Sequence, residues 1–138
     1  MDIPTGFKIL EINSPFTKHA GPLYIKEDAL PPVLGMRIEK QHTNARGIAH
    51  GSALLLLADV ALGLSVHLFK EPHVPVATST LSADFASSAH LGDWVEARVD
   101  VQKVGSSMAY ANTYLSVRNK RLVRVSATFN LNTQGHQG

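Results

Sequence analysis

One carboxylate in this sequence stands where a carboxylate is expensive. Asp59 lies in the run Gly51 to Phe69, flanked by Leu56, Leu57, Val60 and Leu62, and an ionised carboxylate held among apolar groups without partners costs several kcal/mol. It is therefore either satisfied by a structural hydrogen bond or used, as a base or a nucleophile, and both readings stand at this point. At helical spacing, Ser52 seven residues before it and Gly63 four after it are small and leave space above the carboxylate. Upstream, Asn44, Gly47, His50 and Gly51 bring polar groups and pliable backbone to the start of the same run. Unpaired N–H groups at a helix start, backed by the helix dipole, suit developing negative charge. A carbonyl turning into an oxyanion is such a charge, with the Gly51 N–H as donor. The plainer reading of His50 is a helix cap or a loop hydrogen bond.

The elements that must position these groups are legible from period and punctuation. Gly51 to Phe69 contains no proline and is rich in Leu and Ala, which predicts a helix of about five turns. It is apolar nearly all round, the pattern of a helix buried on most sides. Its most apolar part, Ala53 to Leu68, is shorter than the roughly 20 residues of a membrane span and is interrupted by Asp59 and His67. Before it, Ser14 to His19 predicts a short helix capped by Ser14 with Pro15 at its first position, stopped by Gly21-Pro22. An extended piece follows near Tyr24, then a strand over Val33 to Gln41 and a turn over Thr43 to Gly47. After Pro75 the pattern changes to period two, with strands expected at Val76 to Ala86, Val95 to Gln102, Met108 to Arg118 and Leu122 to Asn132. Their links hold the turn residues Leu91-Gly92-Asp93, Gly105-Ser106-Ser107 and Asn119-Lys120. The expectation is an α+β domain, four serial strands as an antiparallel meander wrapped round the buried helix. The tail Thr133 to Gly138 lacks apolar residues and is expected to fray.

Composition narrows the classes. With 138 residues, 44% of them hydrophobic, the chain suits one domain with a core. Charged residues make up only 17%, below the usual share, which implies that oligomerisation covers part of the surface. The net charge of +2, with no aromatic stripe among the cations, gives no reason to expect nucleic-acid binding. The absence of cysteine removes disulfides, thiolate catalysis and cysteine-bound zinc. Of the seven histidines, no two form HxxxH or HxH, and His67 and His73 are expected to lie too far apart for a metal. The beginning, MDIPTGFKIL, lacks the pattern of a signal peptide, and a cytoplasmic protein without membrane attachment is expected. Finally, Asp59 is eight residues beyond Gly51, about 12 Å along a helix axis. The two serve one carbonyl only if a neighbouring subunit supplies the second, as a two-fold dimer allows.

The stretch Asn44-Ala-Arg-Gly-Ile-Ala-His50-Gly51-Ser52, followed by Leu57-Ala58-Asp59, resembles the N-x-x-G-x-x-H-G-G…L-A-D signature of hotdog-fold thioesterases of the phenylacetate-pathway (PaaI-like) type. Thr78 to Phe85 and Leu91-Gly92-Asp93 resemble the family's next strand and turn, and Pro15-Phe16 and Gly21-Pro22-Leu23 its N-terminal helix and first strand. The resemblance implies a sheet wrapped round the long helix, a homodimer or dimer of dimers, and hydrolysis of an acyl-CoA substrate with neither metal nor bound cofactor. It implies Asp59 as nucleophile or general base, Gly51 as oxyanion donor, Asn44 and His50 as positioning groups, and Thr78 near the attacking water. Ser52 departs from the second Gly of the signature, and Ser88 stands where a Pro is common. CoA phosphates call for donors, and Lys103, Ser106, Ser107, Arg118, Lys120, Arg121 and Arg124 are the candidates, with Gly47 and Ser52 beside the thioester. A binding module that holds acyl-CoA or an acyl carrier without cleaving it fits the same pattern.

Overall fold

The structure, a computed structural model, describes residues 2–131; the tail expected to fray lies outside the described residues. Period-two segments become long antiparallel strands. β5 (Trp94–Val104), β6 (Met108–Val117) and β7 (Lys120–Leu131) form successive hairpins. Along β7, Val123, Val125, Ala127, Phe129 and Leu131 are buried, while Arg124, Ser126 and Asn130 face out, as alternation requires. The β6–β7 turn is Arg118-Asn119, at φ 49° and 69°, one residue earlier than expected because Val117 pairs with Lys120. Two left-handed residues are what a two-residue hairpin with matching twist demands.

The meander expectation fails at one strand. β4 (Val76–Phe85) pairs with β7 and not with β5, so it forms one edge of a seven-stranded antiparallel sheet in the order β1-β2-β3-β5-β6-β7-β4. Period two reveals which face of a strand is dry but not its partner, and residues 86–93 are long enough to cross the end of the sheet. On the far side lie β1 (Lys8–Ile9), β2 (Tyr24–Lys26) and β3 (Val33–Arg37), with β3 against β5. β3 also stops short of Gln41, since Lys40–His42 form a 3-10 turn. Buried His42 explains the break. Its Nδ1 accepts from the Glu39 N–H at 2.9 Å, and its Nε2 lies 2.9 and 3.1 Å from the carbonyls of Ala20 and Gly21. With Nδ1 accepting, Nε2 carries the hydrogen and donates. The ring thereby ties α1 (Pro15–Ala20) to the loop before the central helix.

That helix, α2 (Gly51–Phe69), buries Leu54, Leu57, Ala58, Ala61, Leu62 and Val66 in a core completed by Val95, Ala97, Ala111, Leu115, Val125 and Phe129 from the sheet. By length and composition it could cross a membrane; here its packed stripe makes it the core helix of the domain. It is not covered on most sides, however: Leu55, Asp59, Val60, Gly63, Leu64 and His67 are only half-buried. A sequence apolar all round cannot show which stripe the domain itself leaves uncovered. At the opposite end of the sheet Gly35 lies beneath the Trp94 indole, and a Cβ there would stand 2.2 Å from Cζ2 of that ring. Gly35→Ala should therefore destabilise the fold by about 1–3 kcal/mol, read as a lower urea midpoint.

Candidate active site

The loop that delivers the helix is built by its own side chains. Oδ1 of Asn44 accepts from the N–H groups of Arg46 (2.9 Å) and Ile48 (3.3 Å), the local closure that favours Asn in turns. Gly47 follows at φ +74° with open space around it, a conformation that costs a glycine little. The chain then reaches His50, which caps α2: its Nδ1 accepts from the Ser52 N–H at 3.1 Å and lies 2.7 Å from Ser52 Oγ. Accepting at Nδ1 leaves the hydrogen on Nε2, an outward donor. Ser52, the departure from the signature, is thus the residue that fixes this ring. Gly51 is the first helical residue, and its N–H has no acceptor among the described residues, as the first turn of a helix dictates.

Asp59 is half-buried and sits on the uncovered side of α2, a correction to its expected depth. Thr78 Oγ1 donates to its Oδ1 at 2.7 Å, and no other side-chain or backbone donor bonds it among the described residues. One carboxylate oxygen is held and the other left for chemistry. The pair opens on a groove of about 540 Å³ whose walls include Val60, Gly63, Leu64, Val76 and Phe129. Gly63 leaves the space that its spacing predicted. Ser52 does not: it lines a separate groove of about 350 Å³ beside the helix start, with His42, Thr43 and His50. Thr78 sits just before the irregularity in the β4–β7 ladder, between Thr78 and Thr80, and bulges of this kind re-aim side chains.

Gly51 and Asp59 remain on one continuous helix, so the separation of about 12 Å holds within the chain. The expected phosphate donors also divide. Arg118 and Lys120 lie at the β6–β7 turn, at the same end as Gly51, because Phe85 pairs with Val123 and its ring is 3.4 Å from where a Gly51 Cβ would be. Lys103, Ser106 and Ser107 lie at the β5–β6 turn, and Lys70 Nζ donates to the Gly105 carbonyl at 3.1 Å, which fixes that turn at the other end of α2. The ten residues of β6 separate the two groups, about 33 Å at strand rise.

Phe85 is a site neighbour that the sequence reading missed. It is 50% exposed beside the helix start, and only the pairing of β4 with β7 brings it there. The expectation for His67 and His73 is corrected too: their rings lie 4.9 Å apart. Their Nδ1 atoms lie at the carbonyls of Val74 (3.0 Å) and Lys70 (2.8 Å), so the pair closes the turn after α2.

Comparison with known proteins gives one consistent picture. The sequence model of the Thioesterase superfamily matches residues 46–120. A provisionally named esterase of Pseudomonas aeruginosa is 37% identical over 132 residues, covering 95% of this chain and 98% of its own. Among solved structures, the Escherichia coli PaaI protein of the phenylacetic acid degradation operon superposes with a TM-score of 0.77 at 19% identity, covering 86% of this chain and 85% of that one. A hypothetical thioesterase protein of Streptococcus pneumoniae with coenzyme A superposes at 0.68 and 16% identity, covering 84% and 91%.

Proposed function

On the premise that this chain belongs to the thioesterase superfamily and is a thioester hydrolase, we propose that it hydrolyses an acyl-CoA to the free acid and CoA at a site shared by two subunits. The observation that carries this reading is the Asp59–Thr78 pair, open to an apolar groove, on the same helix as an unpaired Gly51 N–H. The acyl group lies in the groove along Val60, Gly63, Leu64 and Phe129, and the thioester carbonyl points to the Gly51 N–H of the other subunit. Asp59 acts as general base or as nucleophile. As base, its free oxygen takes a proton from water while the water oxygen bonds to the acyl carbon. As nucleophile, it forms an acyl anhydride that water then opens. In either case the electrons of the carbonyl move onto oxygen, where Gly51 stabilises them, and return as the C–S bond breaks and the CoA thiolate takes a proton. Asn44 and the Nε2–H of His50 position the thioester, and no metal or resident cofactor is called for.

The dimer in this reading is supported by what the single chain leaves open. β4 is a ten-residue edge strand, exposed along most of its length and rich in Thr and Ser, with a single charge, Asp84, that Arg124 of the neighbouring strand already pairs. Beside it runs the uncovered stripe of α2. A two-fold axis there sets the partner helix antiparallel, which brings the Gly51 of one subunit toward the Asp59 of the other. A second such pairing would give a dimer of dimers.

The experiment that tests the activity is thiol release from a panel of short, medium and aryl acyl-CoA esters. Turnover of at least one supports the reading; tight binding of esters without thiol release would replace it with a binding module. Within the reading, Thr78→Val removes one hydrogen bond to a charged oxygen at an exposed position. It should lower kcat about tenfold or less and leave thermal stability close to the parent.

A further inference from the structure

One cleft of the molecule stands apart from the groove that holds Asp59. It lies on the outer face of the sheet, between β3, the start of β5 and the β6–β7 turn, and encloses about 580 Å³. Four guanidinium groups, Arg37, Arg98, Arg118 and Arg121, line it with only two carboxylates, Asp93 and Glu96. Both carboxylates are already engaged. Glu96 accepts from Trp94 Nε1 at 2.9 Å and from Arg98 at 3.0 Å, and Asp93 accepts from the His90 N–H at 2.8 Å. Glu96 offsets Arg98, and against the one remaining carboxylate, Asp93, stand Arg37, Arg118 and Arg121, a surplus of two positive charges.

None of these three has a carboxylate partner among the described residues. Arg37 donates to the carbonyls of Gly92 and Asp2, lies over the Trp94 ring, and keeps its Nε buried with no partner among the described residues. Arg121 stacks on Tyr114 at 3.8 Å, so its in-plane donors remain available. Arg118 stands in the tight turn at the end of the cleft, with its backbone at φ 49°. Exposed arginines are ordinarily just hydrated. A concave wall in which four guanidinium groups face two carboxylates beside an indole is different, because it focuses positive potential and excludes part of the water. Guanidinium forks match phosphate oxygens, and the half-buried Trp94 in the wall leaves part of its indole to contact a base.

We infer that this cleft is a binding site for a phosphate-bearing nucleotide. That chemistry has two possible sources: the nucleotide end of the acyl-CoA, in which case the inference rests on the function proposed above, or a separate nucleotide that regulates the enzyme. The site itself stands apart from catalysis, and its test uses a readout that needs no turnover.

Trp94 is the only tryptophan in the chain, so its emission reports on the cleft. The full-length protein is titrated with inorganic pyrophosphate, ADP and CoA, alongside the double variant Arg118→Ala/Arg121→Ala and its charge-preserving counterpart Arg118→Lys/Arg121→Lys, each checked for fold by circular dichroism. The expected result is a saturable change in emission with ADP or CoA, weakened at least about tenfold in the alanine variant and partly kept in the lysine variant. Asp59→Asn should bind as the parent does. If ADP then raises KM for the ester without changing kcat, the cleft holds the CoA end of the substrate; if ADP changes kcat, the ligand is a separate effector. No saturable change with any of the three ligands, or equal affinity in the parent and the alanine variant, overturns the inference.

Discussion

Asp59→Asn should abolish nearly all turnover while sparing the fold. Loss of a positioned acid–base group or nucleophile lowers kcat by about two orders of magnitude or more, and KM should stay within a few-fold, because the amide is isosteric and still lines the groove. The structural context makes this substitution clean. Asp59 is half-buried, and its Oδ1 accepts from Thr78, a bond that an asparagine oxygen can also accept. No charge is stranded, so the thermal midpoint should stay near the parent's. A purely structural Asp59 gives the opposite pattern: activity falls only as far as stability does, or not at all. The pairing adds a second readout. Thr78→Val should cost activity in the parent but almost nothing in the Asp59→Asn background, since residues that act through one contact are non-additive.

The sequence made the helix, the strands and the residue types of the site legible for a physical reason: each depends on local periodicity. Proline-free Gly51 to Phe69 could hardly be other than a helix, and alternation along β5 and β7 marked their dry faces directly. What escaped depends on distance in space. The position of β4 at the sheet edge is decided by a crossover, and with it go the contact of Phe85 with Gly51 and the bond from Thr78 to Asp59. The half-covered stripe of α2 escaped because Leu55, Val60 and Leu64 are as apolar as the buried Leu54, Leu57 and Leu62. Only packing separates them. His42 shows the converse case: a residue that no motif singled out proves to be the buried pin joining α1 to the loop before α2.

The shared site itself is open to a test that uses the geometry of the helix start. Gly51→Pro deletes one N–H and little else. Proline is favoured at the first helical position, where no intrahelical bond is lost. The preceding His50, at φ −64° and ψ 138°, already has the extended backbone that a following proline requires. The protein should fold, yet kcat should drop by about two to three orders of magnitude, the usual effect of losing one oxyanion donor. Gly51→Ala keeps the N–H, and its Cβ would meet Phe85 at an ordinary 3.4 Å, so it should lose far less. The decisive measurement mixes lesions. In a dimer of one Gly51→Pro subunit and one Asp59→Asn subunit, isolated with two different affinity tags, a site built across the interface draws an intact Gly51 from one chain and an intact Asp59 from the other. One of its two sites is whole, and about half the parent activity should return, as two-fold symmetry requires. Were both groups recruited from a single chain, the mixed dimer would contain no whole site and would be as inactive as either variant alone. The separation of about 12 Å along α2 argues for recovery, because no single helix can present both groups to one carbonyl.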